Sequence, residues 1–379
     1  MATFRVGLNL IYLQPGRLGG TEVYARELLQ EIEEQNQEFD FVLFLSPESY
    51  ETVNYVSSRF RKVRVPISSQ SPSKRHLLEQ TILPRLIARE GIDLLHSMGY
   101  VCPLLAECKQ VVTVHDMLYE VHPEYLSKLK LLFWRFFVPR SVRRSVRTIA
   151  VSQNAKEDIV KYCGVDSARV VAIHSGIRFQ PPADEAQVTA TLDKFGIKRP
   201  FVLAVGCGRH KRVDLIEEAC RQLDVQLVVT GLPESRVVPH RTERTFYAGF
   251  VSAEDLRALY AAAEVYATAS SMEGFGLTLL ESMMQNTPVI SSAAGSLREV
   301  GGDAILAIET PTSAALAKAI SEVMLDRQLR DRLVNAGKQR LGQFTWKESA
   351  RRHLDVYREV LSGSAERPMA PPSRVGVGG

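Results

Sequence analysis

Two carboxylates stand eight residues apart in Glu273-Gly274-Phe275-Gly276-Leu277-Thr278-Leu279-Leu280-Glu281, and a Gly-Phe-Gly turn follows the first of them. On one regular helix that separation would put them about 12 Å apart and off a common face. The spacing instead predicts a loop at Glu273 and a helix from about Leu277, with Glu281 in its second turn. Leu277, Leu280 and Met284 fall at i, i+3 and i+7 and form its buried stripe. A carboxylate, free backbone N–H groups and the positive end of a helix then converge. That set suits a ligand with sugar hydroxyls at one end and phosphates at the other.

Three further stretches carry compatible chemistry. Phe4–Leu13 reads as a buried strand, followed by Pro15-Gly16-Arg17-Leu18-Gly19-Gly20-Thr21-Glu22 and a helix through Glu34. A strand, a glycine loop and a helix N-terminus make an anion site, although the loop is neither G-x-G-x-x-G nor a P-loop, and a plain turn is the alternative. The strand Val111–Val114 ends in His115-Asp116, the address where open α/β sheets bind ligands. The strand Phe201–Val205 leaves through Gly206-Cys207-Gly208-Arg209-His210-Lys211. Glycines and cations there suit a diphosphate leaving group, whose charge must be stabilised by donors that do not move. Solvated loop cations are the alternative.

The elements that must position these groups follow from periodicity. In the first half, short apolar strands are predicted at Phe39–Leu45, Val63–Ile67, Asp93–Ser97 and Arg147–Ser152, with Ser68–Lys74 a loop and helices at Leu77–Arg89 and Asn154–Cys163. Phe179–Lys198, with Pro181-Pro182 and a short charged helix, reads as an interdomain linker. The second half alternates strictly: strands at Phe201–Val205, Gln226–Thr230, Thr245–Gly249, Val265–Thr268, Pro288–Ser292 and Ala304–Ile308, with helices between them. Such alternation implies a doubly wound parallel sheet. The predicted organisation is an α/β chain with domains at 1–178 and 199–345, a linker at 179–198, a returning helix at 346–362 and a disordered tail at 363–379.

Composition sets outer bounds. The 379 residues predict two domains, and 45% hydrophobic with 24% charged residues is the balance of an ordinary globular protein. A net charge of +4 gives no case for nucleic acid. Five cysteines without a C-x-x-C pair suit a reducing compartment. No signal-like N-terminus and no long apolar run are present, so a cytoplasmic protein is expected. Tyr125–Arg147 departs from this blandness, because lysines and arginines interleave with Leu131, Leu132, Phe133, Trp134, Phe136 and Phe137, and no acid occurs between Glu124 and Glu157. That pattern predicts peripheral contact with the inner face of a membrane, or an anionic acceptor site; a core helix with solvated arginines is the plain alternative. Pro139 is expected to break or kink this helix.

Taken in order, these segments resemble the retaining glycosyltransferases of family 4, which have the GT-B fold of two Rossmann-like domains facing across a cleft. The resemblance runs from about Val6 to Val360. It implies that Glu281 binds the ribose of a nucleotide-sugar and that Glu273 touches the transferred sugar. Backbone groups of Phe275, Gly276 and Leu277 would lie along sugar and diphosphate, and Gly19 and Gly20 would approach the diphosphate from the first domain. His115 would face the reacting sugar, with Asp116 orienting it or meeting the acceptor. Lys211 and Arg209 would clamp the phosphates beside Gly206, and Gly231 would lie near the base, framed by residues such as Tyr260. One departure is plain: Cys207 stands where the family has its arginine, in a loop two residues shorter.

The implied activity is transfer of a mannosyl- or glucosyl-type hexose from a nucleotide diphosphate to a hydroxyl of a glycan or lipid-linked saccharide, as in polysaccharide or lipopolysaccharide biosynthesis. No D-x-D occurs, so neither a metal nor another cofactor is expected. The rival readings are a non-catalytic nucleotide-sugar-binding protein of this fold and a different nucleotide-sugar enzyme such as an epimerase.

Overall fold

A computed structural model of the chain describes residues 4–14, 19–70, 72–231 and 239–363. Pro15–Leu18 and the tail beyond Gly363 therefore lie outside the described residues. Two seven-stranded sheets organise the rest, each with helices on both faces. The first contains β1 (Phe4–Asn9), β2 (Phe39–Leu45), β3 (Phe60–Arg64), β4 (Leu94–Ser97), β5 (Lys109–Val114), β6 (Arg147–Ala150) and β7 (Val170–Ala172). Their order is β3-β2-β1-β4-β5-β6-β7, parallel throughout.

The second sheet contains β8 (Phe201–Val205), β9 (Gln226–Thr230), β10 (His240–Arg241), β11 (Thr245–Gly249), β12 (Val265–Thr268), β13 (Val289–Ser292) and β14 (Ile305–Ile308). Its order is β10-β11-β9-β8-β12-β13-β14, with only the short edge strand β10 antiparallel. Central strands such as Val42-Leu43-Phe44 and Val202-Leu203 are wholly buried, as parallel strands covered on both faces must be. In each sheet the order reverses beside the first strand, at β1/β4 and at β8/β12, and ligand crevices form at such switch points. This is the expected architecture of two doubly wound domains.

The departures from expectation have local causes. The first strand stops at Asn9, whose side chain accepts a hydrogen bond from the Ile11 N–H at 3.3 Å and so competes with the ladder. The third strand lies at Phe60–Arg64 and not at Val63–Ile67, because Pro66 has no N–H to continue the pairing. The helix expected at Leu77–Arg89 is two helices, Pro72–Thr81 and Leu83–Arg89, the second opening with Pro84 in its first turn. Pro139 breaks nothing: one helix runs from Lys128 to Arg144. Buried Val138, Ser141 and Val142 around it hold that helix where a single backbone bond is missing.

Two chain crossings join the domains side by side. The Ile177 N–H donates to the Phe344 carbonyl at 3.0 Å, and Ile177 bridges Thr345. A Cβ on Gly176 would come within 2.1 Å of the Trp346 nitrogen, so only glycine fits there. Within the 179–198 segment, the helix Glu185–Phe195 packs on Ala253–Ala262 and is pinned by Lys194 to Asp255 at 2.7 Å. After the second crossing, the helix Trp346–Ser362 returns to pack on Gly20–Gln35. A buried network fastens it. The Tyr24 hydroxyl lies 2.7 Å from His353 Nε2 and 3.3 Å from Thr113 Oγ1, while His96 bridges Thr113 Oγ1 at 2.8 Å and the Tyr357 hydroxyl at 2.7 Å.

Candidate active site

The Glu273 loop hangs from the end of β12 and is tied down by serines. Thr268 and Ser270 hydroxyls share a hydrogen bond of 2.9 Å, Ser292 Oγ donates to the Ser270 carbonyl at 2.6 Å, and Ser296 Oγ donates to the Glu273 carbonyl at 2.9 Å. These contacts aim the Glu273 carboxylate at Lys211. Its Oε1 accepts from Lys211 Nζ at 2.5 Å and from Ser270 Oγ at 2.7 Å. Burial alone would raise the Glu273 pKa, but the Lys211 charge and these hydrogen bonds outweigh it and hold the carboxyl below its ordinary range.

Gly274 touches the first domain: a Cβ there would come within 2.2 Å of the His115 carbonyl oxygen, and Ser152 Oγ donates to the Gly274 carbonyl at 2.8 Å. Gly276, at φ +106°, turns the chain into the helix Leu277–Met284. Glu281 is half-buried in its second turn and accepts from the Tyr260 hydroxyl at 3.1 Å. Burial raises the Glu281 pKa, with the Tyr260 bond and Lys211 opposing. Tyr260, expected near the base, lines the cleft and steadies this carboxylate.

Beyond β8, Gly206 (φ +92°) and Gly231 (φ +112°) pass so closely that a Cβ on Gly231 would lie 2.8 Å from the Gly206 nitrogen. A Cβ on Gly206 would meet the Lys211 side chain at 2.9 Å. The two glycines thus clear the path along which Lys211 reaches inward. Cys207 donates its thiol to the Gly231 carbonyl at 3.7 Å, and burial raises its pKa. Arg209 is exposed on the same turn and does not line the cleft.

From the first domain, Gly19 caps the helix Gly20–Gln35, and a Cβ on Gly19 or Gly20 would meet nothing within 4 Å among the described residues. Their value is open room beside a helix start, not a backbone that only glycine can adopt. His115 is buried between the rings of Tyr24 and Tyr100, with centroids at 4.9 and 5.4 Å. Its Nε2 donates to the Met98 carbonyl at 2.9 Å, which leaves Nδ1 as an acceptor. Burial lowers its pKa, against the Met98 bond and Asp116, so the ring is neutral at pH 7. Asp116 accepts from the Tyr100 hydroxyl at 2.7 Å and the Leu118 N–H at 3.0 Å.

A cleft of about 530 Å³ gathers Gly19, Gly20, Gly206, Lys211, Gly231, Leu277 and Glu281 from the two domains. Glu273 joins through Lys211, and His115 through its carbonyl under Gly274. The Phe275 side chain faces away, into a cluster with His174 and Phe344. Ser270, which aims Glu273, was missed from sequence; its only signal is a small hydroxyl just past a strand end. Glu299 caps the helix Gln153–Cys163 across the domain boundary by accepting from the Gln153 and Asn154 N–H groups. Among the described residues no group of three His, Cys, Asp or Glu side chains is placed to hold a metal.

Comparison with known proteins gives the same picture. Residues 18–180 match the model of Glycosyltransferase Family 4, and residues 193–340 that of Glycosyl transferases group 1. The chain is 30% identical over 299 residues to the alpha-maltose-1-phosphate synthase of Mycobacterium tuberculosis, covering 70% of this chain and 76% of that one. It is 26% identical over 280 residues to O-antigen chain mannosyltransferase B of Escherichia coli, covering 69% and 73%. An Anabaena protein solved in complex with UDP-glucose superposes with a TM-score of 0.73 at 18% identity, covering 94% of this chain and 99% of that one.

Proposed function

We propose, for a chain that belongs to the family-4 glycosyltransferases and shares their GT-B fold, that it moves a hexosyl group from a nucleotide diphosphate sugar to a hydroxyl of a glycan or lipid-linked saccharide, with retention at the anomeric carbon. The observation that carries this reading is the convergence of Lys211, Glu281 and the Gly19-Gly20 helix start on one cleft at the carboxyl ends of both sheets. The mannosyltransferase and UDP-glucose named among its relatives support a mannosyl- or glucosyl-type donor.

In this reading Glu281, backed by Tyr260, takes the ribose hydroxyls. The diphosphate lies between the amides at Gly19 and Gly20 and the Lys211 ammonium, which neutralises charge as the leaving group departs. These groups take the role a metal would otherwise fill. Glu273 uses Oε1 to aim Lys211 and offers Oε2 to a sugar hydroxyl. Neutral His115 offers Nδ1 to the sugar or the acceptor, with Asp116 beside it. The bond from C1 to the phosphate oxygen breaks, and the acceptor oxygen bonds C1 on the same face. The acceptor proton passes to the departing phosphate. Arg209 reaches the phosphates only by swinging inward, so Lys211 carries the larger share.

A thermal-shift panel of UDP, GDP, ADP, CMP and dTDP, with and without magnesium, tests the donor site, since a ligand that binds only the folded state raises its melting temperature. One diphosphate is expected to shift the melt without magnesium. A flat panel removes the assignment, and a product of inverted configuration removes retention.

The reading extends to a membrane-held acceptor through the helix Lys128–Arg144. Leu129, Leu132 and Phe136 are exposed at helical spacing, flanked by exposed Lys128 and Arg140. A cationic, apolar stripe of this kind suits the inner face of an anionic bilayer. Arg143 and Arg144 are instead tied to the Cys163 and Ala106 carbonyls, and Arg147 to Glu359, so they belong to the scaffold. No described helix is long and apolar enough to cross a membrane. Leu132→Glu with Phe136→Glu is expected to abolish co-sedimentation with phosphatidylglycerol vesicles; retained binding would remove the membrane contact.

A further inference from the structure

The first domain buries a guanidinium that the donor site does not use. Arg75 is only 9% exposed, and its Nε has no partner among the described residues. Its one recorded hydrogen bond runs from Nη2 to His76 Nε2 at 3.0 Å. His76 Nδ1 in turn donates to Glu79 Oε2 at 3.1 Å, and both of those side chains are buried as well. The geometry requires a neutral His76, because Nε2 must accept from a guanidinium that can only donate. The carboxylate is therefore one full imidazole away from the cation. No described carboxylate lies within 4.0 Å of Arg75. Burial lowers its pKa, with Glu79 and Tyr12 only partly opposing.

A buried cation held in place by a hydrogen-bonded chain, yet denied a direct counter-ion, is costly unless something anionic arrives. Its position says what that is. The His76 ring lies 5.9 Å from Trp134, Trp134 lies 5.4 Å from Tyr100, and Tyr100 lies 5.4 Å from His115. On the other side, Tyr12, within electrostatic reach of Arg75, packs so tightly over Gly99 that a Cβ there would come within 2.7 Å of its ring. Gly99 follows Met98, whose carbonyl receives the His115 proton. A continuous run of packed rings thus links the Arg75–His76 pair to His115 within the first domain, while Lys211 and Glu281 belong to the second.

We propose that Arg75, oriented by the Glu79–His76 chain, binds a phosphoryl group of the acceptor. A guanidinium fork matches phosphate oxygens in a way that a point charge does not. Naming the ligand an acceptor rests on the transferase reading above; the phosphate site itself does not.

The test uses the full chain and inorganic phosphate, titrated against matched chloride and read as a melting shift. Lys211→Ala removes the donor-side phosphate contact, and phosphate is still expected to raise the melt of that variant. Adding Arg75→Met is expected to abolish the rise. No rise in Lys211→Ala, or a rise that survives in the double variant, overturns the proposal.

Arg75→Met alone, in chloride, is expected to melt no lower than the wild type, because it removes an uncompensated buried charge. A clear fall marks a structural cation and overturns the site. Arg75→Lys keeps the charge and is expected to bind phosphate at least about 5-fold more weakly; equal affinity overturns the guanidinium assignment. Methyl phosphate and farnesyl phosphate then separate a soluble phosphorylated acceptor from a lipid-borne one, and failure of both to bind overturns it. A nucleotide diphosphate shift that persists in Arg75→Met, or is missing from the wild type, reports on the donor reading alone.

Discussion

The seam under the terminal helix and the cleft between the sheets are both polar junctions within one chain, and they treat their polar groups in opposite ways. At the seam, Tyr24, Thr113, His96, His353 and Tyr357 satisfy one another, and His353 also donates to the Ser349 carbonyl at 2.7 Å. Glycine is used there because nothing else fits: Gly176 has the Trp346 backbone against it. In the cleft, Gly19 and Gly20 have no described atom against them and Lys211 is braced by one carboxylate, and elsewhere in the first domain Arg75 keeps a buried donor unspent. Closed networks join parts of the fold, whereas networks left short of partners mark where a ligand completes them.

Substitutions at the two places should therefore separate stability from turnover. The largest effect is expected for Lys211→Ala, which should lower kcat/KM by about 10²–10³-fold, the scale for losing a preorganised charge donor. Wild-type turnover per folded molecule would place Lys211 with the scaffold and erase the contrast. Next is Gly176→Ala, expected to cost about 3 kcal/mol of stability, because the backbone of Trp346 must shift. Chemical denaturation reads it directly, and an unchanged midpoint contradicts the tight crossing. Tyr24→Phe should cost about 1–2 kcal/mol by stranding its buried partners, while turnover of the folded fraction stays unchanged.

Acid sharpens the same contrast. Burial lowers the pKa of His96 and brings that of His353 down to about 4, with only the Ser349 carbonyl raising the latter. The unfolded chain therefore binds more protons than the folded one below about pH 6.5. The stability these rings contribute is complete above that pH and is lost as pH falls toward 4. Melts at pH 7, 5.5 and 4.5 should decline progressively, and His353→Gln should flatten part of the decline. The smallest effect is Gly20→Ala. A better helix former at an open position should raise stability by about 0.5 kcal/mol, yet its methyl group enters the cleft and should raise the donor KM. A donor KM left unchanged, or lowered, would put Gly20 outside the donor path.

The two halves of the chain were not equally legible. Phe201–Val205, Gln226–Thr230, Thr245–Gly249 and Val265–Thr268 are strands with the boundaries read from sequence, because short apolar runs end there at glycine or polar residues. In the first half Pro66 and Asn9 ended strands that β-branched residues seemed to prolong, since one missing or diverted N–H outweighs propensity. The glutamate motif and Lys211 stood out because their glycines announce unusual backbone. Arg75 did not: it lies at the junction of a stretch read as loop and a helix read as starting at Leu77. Whether a charged side chain at such a place is buried depends on Phe133 and Trp134, which pack on His76 from more than fifty positions away.

The paired crossings at Ile177 and Thr345 also dictate a mechanics for the molecule. Two tethers leaving a body at one point behave as a single pivot: sliding one domain along the other would stretch the tethers unequally, whereas swinging it leaves both undisturbed. Gly176 and Ile177 border the cleft themselves, so its walls scarcely part beside them and part most at the distant lip. A ligand that draws the lip together works with the longest lever arm, and a contact made beside the pivot holds position without driving closure.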